Sequence, residues 1–134
     1  MKSTHTTRQA TQSLDLIESL QSSSGAFPAC PTFKVYQYSW LRDGTYIAAA
    51  LARGGRDRSA LAFHEWVVDV ISRMAPQIQE LVALRQAGHT PRHEDMLPTR
   101  YCLDGSVEVS DGDDDWPNVQ LDGYGIWLWG WRTS

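Results

Sequence analysis

Lysine is almost absent from this sequence, at Lys2 and Lys34 alone, and the formal net charge is -4 at pH 7. Phosphate binding needs concentrated positive charge, and the arginines here are scattered, so the composition argues against a nucleic-acid partner. Cysteine is equally sparse. Cys30 and Cys102 form no CxxC pair, which leaves no zinc knuckle or redox motif, and two reduced thiols are the expectation. The longest apolar cluster, Ile126–Trp131, falls far short of the ~20 residues that a membrane helix needs. The N-terminal MKSTHTTRQATQS has no apolar run of the kind that marks a secretory leader. A soluble, cytoplasmic protein with no membrane partner is therefore expected. HExxH, GxSxG, the phosphate loop and the dinucleotide fingerprint are all missing, and no nucleophile–base set is present. No cofactor is expected.

What is there reads as globular. The 134 residues suit one domain, and 42% are hydrophobic against 21% charged. Six Trp and five Tyr are many for this length. Large aromatic surfaces serve either a bulky core or a site that stacks on sugar rings, and composition alone does not choose.

The apolar spacing is mainly helical. Residues 1–10 are polar and read as a flexible tail. Leu14, Ile17 and Leu20 then mark a helix from Thr11 to Gln21, stopped by Ser22–Gly25. Pro28 and Pro31 make 26–33 an extended loop. Tyr36, Tyr38 and Trp40 alternate with Gln37 and Ser39 at strand-like spacing. The next helix is expected to start at Asp43, capped by that carboxylate, with Tyr46, Ile47, Ala50 and Leu51 as its apolar face and Gly54-Gly55 as its end. A third runs from about Asp57 to Arg73, burying Leu61, Trp66, Val67, Val70, Ile71 and Met74. Pro76 kinks or restarts it, and Gly88 closes the continuation. Residues 89–118 are loop-rich. In the tail, Trp127, Trp129 and Trp131 alternate like a strand, while Tyr124, Trp127, Leu128 and Trp131 fit a helix. Pattern leaves both readings open.

Two segments carry chemistry. Arg42-Asp43, preceded by Tyr36, Tyr38 and Trp40, suits sugar recognition, because charged groups bind hydroxyls strongly and aromatic faces pack on pyranose rings. The plainer reading is a capping Asp43 and an Arg42 paired with a nearby carboxylate. The second segment runs from Trp116 through Gln120 and Asp122 to Gly125, and its plainer reading is core packing. Asp111, Asp113, Asp115 and Asp122 occupy calcium-loop positions. Trp116 stands where the loop needs a glycine, so a solvated acidic loop is the better reading and no metal is assigned. His89 and His93 are split by Thr90-Pro91, which prevents a helical metal pair. His64-Glu65 reads as a surface pair on the third helix.

The segment YQYSWLRDG at Tyr36–Gly44 resembles glycoside hydrolase family 15, the glucoamylase and glucodextranase family, whose Tyr-x-Tyr-x-Trp-x-Arg-Asp pattern it matches without departure. Trp116–Gly125 is similar to the family's Trp-x-x-x-Gln-x-Asp-Gly segment, and GAFPACPTF and LPTRYCLDGS extend the likeness over residues 11–131. The resemblance implies an all-α fold, an incomplete six-fold α/α toroid with about four of its twelve helices and long loops, over residues 11–134. It implies substrate-binding roles for Tyr36, Arg42, Asp43 and Trp116, with Tyr38 and Trp40 shaping the pocket, while Gln120 and Asp122 look structural. The implied activity is inverting release of glucose from non-reducing ends of glucans or glucosides. That needs two catalytic glutamates. Glu18, Glu65, Glu80, Glu94 and Glu108 match neither, so the chain is expected to be an inactive fragment by itself, open to self-association through its unpartnered helix faces. A non-catalytic sugar-binding module and an inactive truncated product are the alternatives.

Overall fold

A computed structural model describes residues 2–34, 37–107 and 120–133. Among these, five α-helices and two short strands follow in chain order: α1 (Lys2–Ser19), β1 (Tyr38–Trp40), α2 (Leu41–Arg53), α3 (Asp57–Arg73), α4 (Ala75–Gln86), β2 (Arg100–Cys102) and α5 (Asp122–Thr133). The tail resolves as helix, which makes five helices where about four were expected. The first helix begins at Lys2 and so takes in most of the segment read as a tail. The bounds of α3 are those its spacing indicates. Pro76 restarts the chain as α4, where its missing N–H falls in the first turn and costs no hydrogen bond.

Helix α2 packs between α3 and α5, and this sandwich holds most of the core. Phe63, Trp66, Val67 and Val70 of α3 meet Leu41, Ala48 and Leu51 of α2, with Trp127 entering from α5. Two features of α2 depart from expectation. It starts at Leu41 with Trp40 in the cap position and no side-chain cap bond, so Asp43 lies within the first turn. There its charge complements the positive helix end without capping it. The buried face is Leu41, Gly44, Thr45, Ala48 and Leu51, while Tyr46 is 55% exposed. The period was right and the phase was shifted, because the neighbours approach α2 at its small residues. Leu61 likewise turns outward, at 52% exposed.

The loop 89–118 contributes β2, which pairs antiparallel with β1 in the register Tyr38↔Cys102, Ser39↔Tyr101, Trp40↔Arg100. Tyr101 is fully buried at the centre of that pairing. Helix α4 buries no residue. No helix among the described residues is long and apolar enough to cross a membrane.

Candidate functional site

Strand β1 runs directly into α2, so Tyr38, Trp40, Arg42 and Asp43 leave one continuous stretch of backbone whose position is fixed on both sides. One side is the pairing with β2. Arg100, opposite Trp40, lies with its guanidinium carbon 4.2 Å from the centre of the Tyr38 ring and 5.7 Å from that of Trp40. A cation over aromatic faces is attracted to their electron-rich surface. Tyr38 and Trp40 also meet edge to face at 6.4 Å. Trp40 is only 9% exposed, so most of its ring is committed to packing behind Tyr38.

The other side is the contact between the starts of α2 and α5. Arg42 donates from Nη1 to Asp122 at 2.9 Å and from Nε to Asp43 at 3.4 Å. All three side chains are about half exposed, at 42% for Arg42, 49% for Asp43 and 50% for Asp122. Hydrogen bonding to Asp122 first, then to Asp43, raises the guanidinium's hold on its proton. Among the described residues Nη2 makes no bond, which leaves donors for a ligand. The pairing expected of a plain surface arginine is thus present, and one partner comes from a helix 80 residues away in sequence.

Behind this platform the buried side chains pair with one another, apart from the Ser39 hydroxyl on β1, which has no partner among the described residues. Tyr124 donates to the Pro98 carbonyl and accepts from Tyr101 at 2.7 Å, tying α5 to the turn before β2. Burial pushes both phenols' pKa up, so they act as neutral bonding groups. Lower down, Trp127 donates from its indole N–H to Nδ1 of His64 at 3.2 Å. His64 is 3% exposed, a buried link between α3 and α5 where a surface pair with Glu65 was expected.

Tyr36, Trp116 and the aspartates Asp111, Asp113 and Asp115 lie outside the described residues. Asp122 is engaged with Arg42, and the described residues contain no group of three or more metal-ligating side chains. Cys30 and Cys102 are free thiols. Glu18 is engaged with Arg56 and Ser59. A cleft of about 180 Å³ between α4 and the turn at His93–Asp95 is lined by Glu80, Glu94 and Asp95, and it includes none of the sequence-indicated sugar residues. Two residues of the platform, Asp122 and Arg100, were not read as part of it. Each reaches it only through a long-range contact, and no local spacing signals that.

Comparison with known proteins gives the family and the fold. The chain is 46% identical over 110 residues to isomaltose glucohydrolase of Kribbella flavida, covering 81% of this chain and 28% of that protein. It is similar to a solved wild-type glycosidase (TM-score 0.81, 44% identity) and to a glycosidase variant solved in complex with glucose (TM-score 0.82, 44% identity). In both cases 92% of this chain superimposes on 33% of the other, so the chain spans about a third of the length of these relatives. Its helices form part of a six-fold α/α toroid. Residues 8–129 match the glycosyl hydrolases family 15, and the chain belongs to that family.

Proposed function

We propose that this chain forms the part of a glycosidase that grips a terminal glucose unit, in a protein releasing glucose from the non-reducing ends of α-glucosides such as isomaltose. The observation that carries the reading is the Arg42 guanidinium held between Asp43 and Asp122 at the adjoining starts of two helices. One planar donor and flanking acceptors, all half exposed, match the alternating donors and acceptors of neighbouring sugar hydroxyls. Tyr38, backed by the buried Trp40, would shape the pocket beside them, and Tyr36 and Trp116 would add further contacts. The likeness to a glucohydrolase and to a glycosidase solved in complex with glucose supports the same ligand class.

Hydrolysis with inversion needs an acid and a base about 6.5–9.5 Å apart, with a water between them. No described carboxylate is assigned either role, so binding without turnover is the expectation for the 134-residue chain. Titration with isomaltose, maltose or glucose should shift the tryptophan fluorescence saturably, and Asp43→Ala should abolish the shift. A chain whose fluorescence ignores all three sugars would refute the assignment.

A further inference from the structure

We infer that Asp122 is a positioning residue for this sugar site: it takes the shorter of the two hydrogen bonds from the Arg42 guanidinium, and so leaves Asp43 the lighter share and open to a ligand. The inference rests on the sugar-binding reading and extends it to a residue outside the Tyr36–Gly44 segment. Arg42 and Asp43 are adjacent in sequence and of opposite charge. Left alone, they would neutralise one another, and neither would be presented to a hydroxyl. Both carboxylates are engaged, through different nitrogens, and the shorter contact is the one to the distant partner: 2.9 Å from Nη1 to Asp122 against 3.4 Å from Nε to Asp43.

Asp122 is also referenced rigidly to Arg42. A Cβ on the next residue, Gly123, would stand 3.7 Å from both the Arg42 amide nitrogen and the Leu41 Cβ, so the starts of α5 and α2 are in contact. Further along α5, Gly130 approaches Thr45 closely and Trp127 bonds to His64. An exposed ion pair ordinarily contributes little to stability, because ordering two long side chains offsets the attraction. Here the carboxylate sits on a short side chain whose backbone is already fixed, so the ordering falls on Arg42 alone, and ordering Arg42 is what a binding site requires.

The test compares the 134-residue chain with Asp122→Asn, which keeps the side-chain shape and can still start a helix. Phenylglyoxal attacks the unprotonated guanidinium, and mass mapping of peptides gives the rate at each arginine. With one carboxylate partner in place of two, Arg42 should react several-fold faster in the variant, while Arg56 and Arg73, paired elsewhere, keep their rates. Isomaltose affinity should fall several-fold, and Asp122→Asn should cost nothing more in an Arg42→Lys background. The melting temperature should stay where it was. Asp122→Ser, another uncharged helix-starting residue, serves the same comparison if the asparagine variant folds poorly. An unchanged Arg42 rate overturns the inference, as does a faster rate with undiminished sugar affinity. A parent chain that binds no sugar overturns the binding reading instead, and the modification rates still decide whether Asp122 holds Arg42.

Discussion

Gly44 follows the two charged residues of the site, and its contribution is the space it leaves. A Cβ there would lie 2.3 Å from Cε2 and 2.4 Å from Cζ of Phe63. Phe63 is fully buried and packed against Phe27 at 5.7 Å and Trp66 at 5.9 Å, so it has little room to yield. Alanine is the better helix former by about 1 kcal/mol. Overpacking a filled core costs about 1–3 kcal/mol. The clash should win, and Gly44→Ala should lower the urea midpoint without changing the slope of the transition. Sugar affinity should fall with it, since the same contact sets where Asp43 leaves α2. A variant as stable as the parent would mean that α3 can shift away from α2 at little cost.

At the scale of elements, α3 and α5 are joined by the Trp127–His64 bond, which requires Nδ1 of His64 to be unprotonated. Phe63 and Trp131 present ring edges to the same imidazole. Burial lowers the pKa of His64 from its ordinary 6.5. In the unfolded chain the group ionises near its ordinary value, so the unfolded state takes up the proton first as pH falls. His64 therefore contributes its full stability above that value, and the contribution drains away as pH drops through it toward the lower folded pKa. The melting temperature should decline as pH is lowered from about 7 to about 5, and His64→Asn should flatten the decline. Parallel curves for the two proteins would remove His64 as the cause. The same pair of elements shows what the sequence makes legible. Helix α3 could be read to the residue because Trp66, Val67 and Val70 repeat over a long run with clear ends. In α5 the alternating tryptophans fit two periods, and only the contacts of Trp127 and Gly130 with α3 and α2 select the helix. Strand β2 has three residues, and its partner lies some sixty positions earlier, so no local pattern announces it. The phase of α2 was missed for a related reason. Apolarity favoured Tyr46 and Ala50, which turn outward, whereas the packing selects Gly44, Thr45 and Ala48 for their small size. Arg42 and Asp43 were legible from their segment alone, but Asp122 and Arg100 join them only through the fold.

For the molecule as a whole, the decisive feature is that α5 carries apolar side chains on both sides. Trp127 and Gly130 face the core, while Leu128 is 62%, Trp129 51% and Trp131 48% exposed. Leu121 at 56% precedes them, and Leu16, Leu61 and Val82 add outward apolar groups on three other helices. Isolated exposed leucines are ordinary, but three large groups within four residues form a patch that water solvates poorly. In the solved relatives, this region corresponds to about a third of a longer chain. By itself, the 134-residue chain should bury the patch by self-association, and sedimentation velocity should show mass rising with protein concentration. Leu128→Gln with Trp129→Gln removes two adjacent members of the patch and spares Trp131, which packs on Trp127 and His64. That variant should sediment as a monomer while keeping its helical circular dichroism, because neither replaced side chain supports the core. If the parent is monomeric at every concentration, the patch does not drive association. If the double variant still associates, another face does.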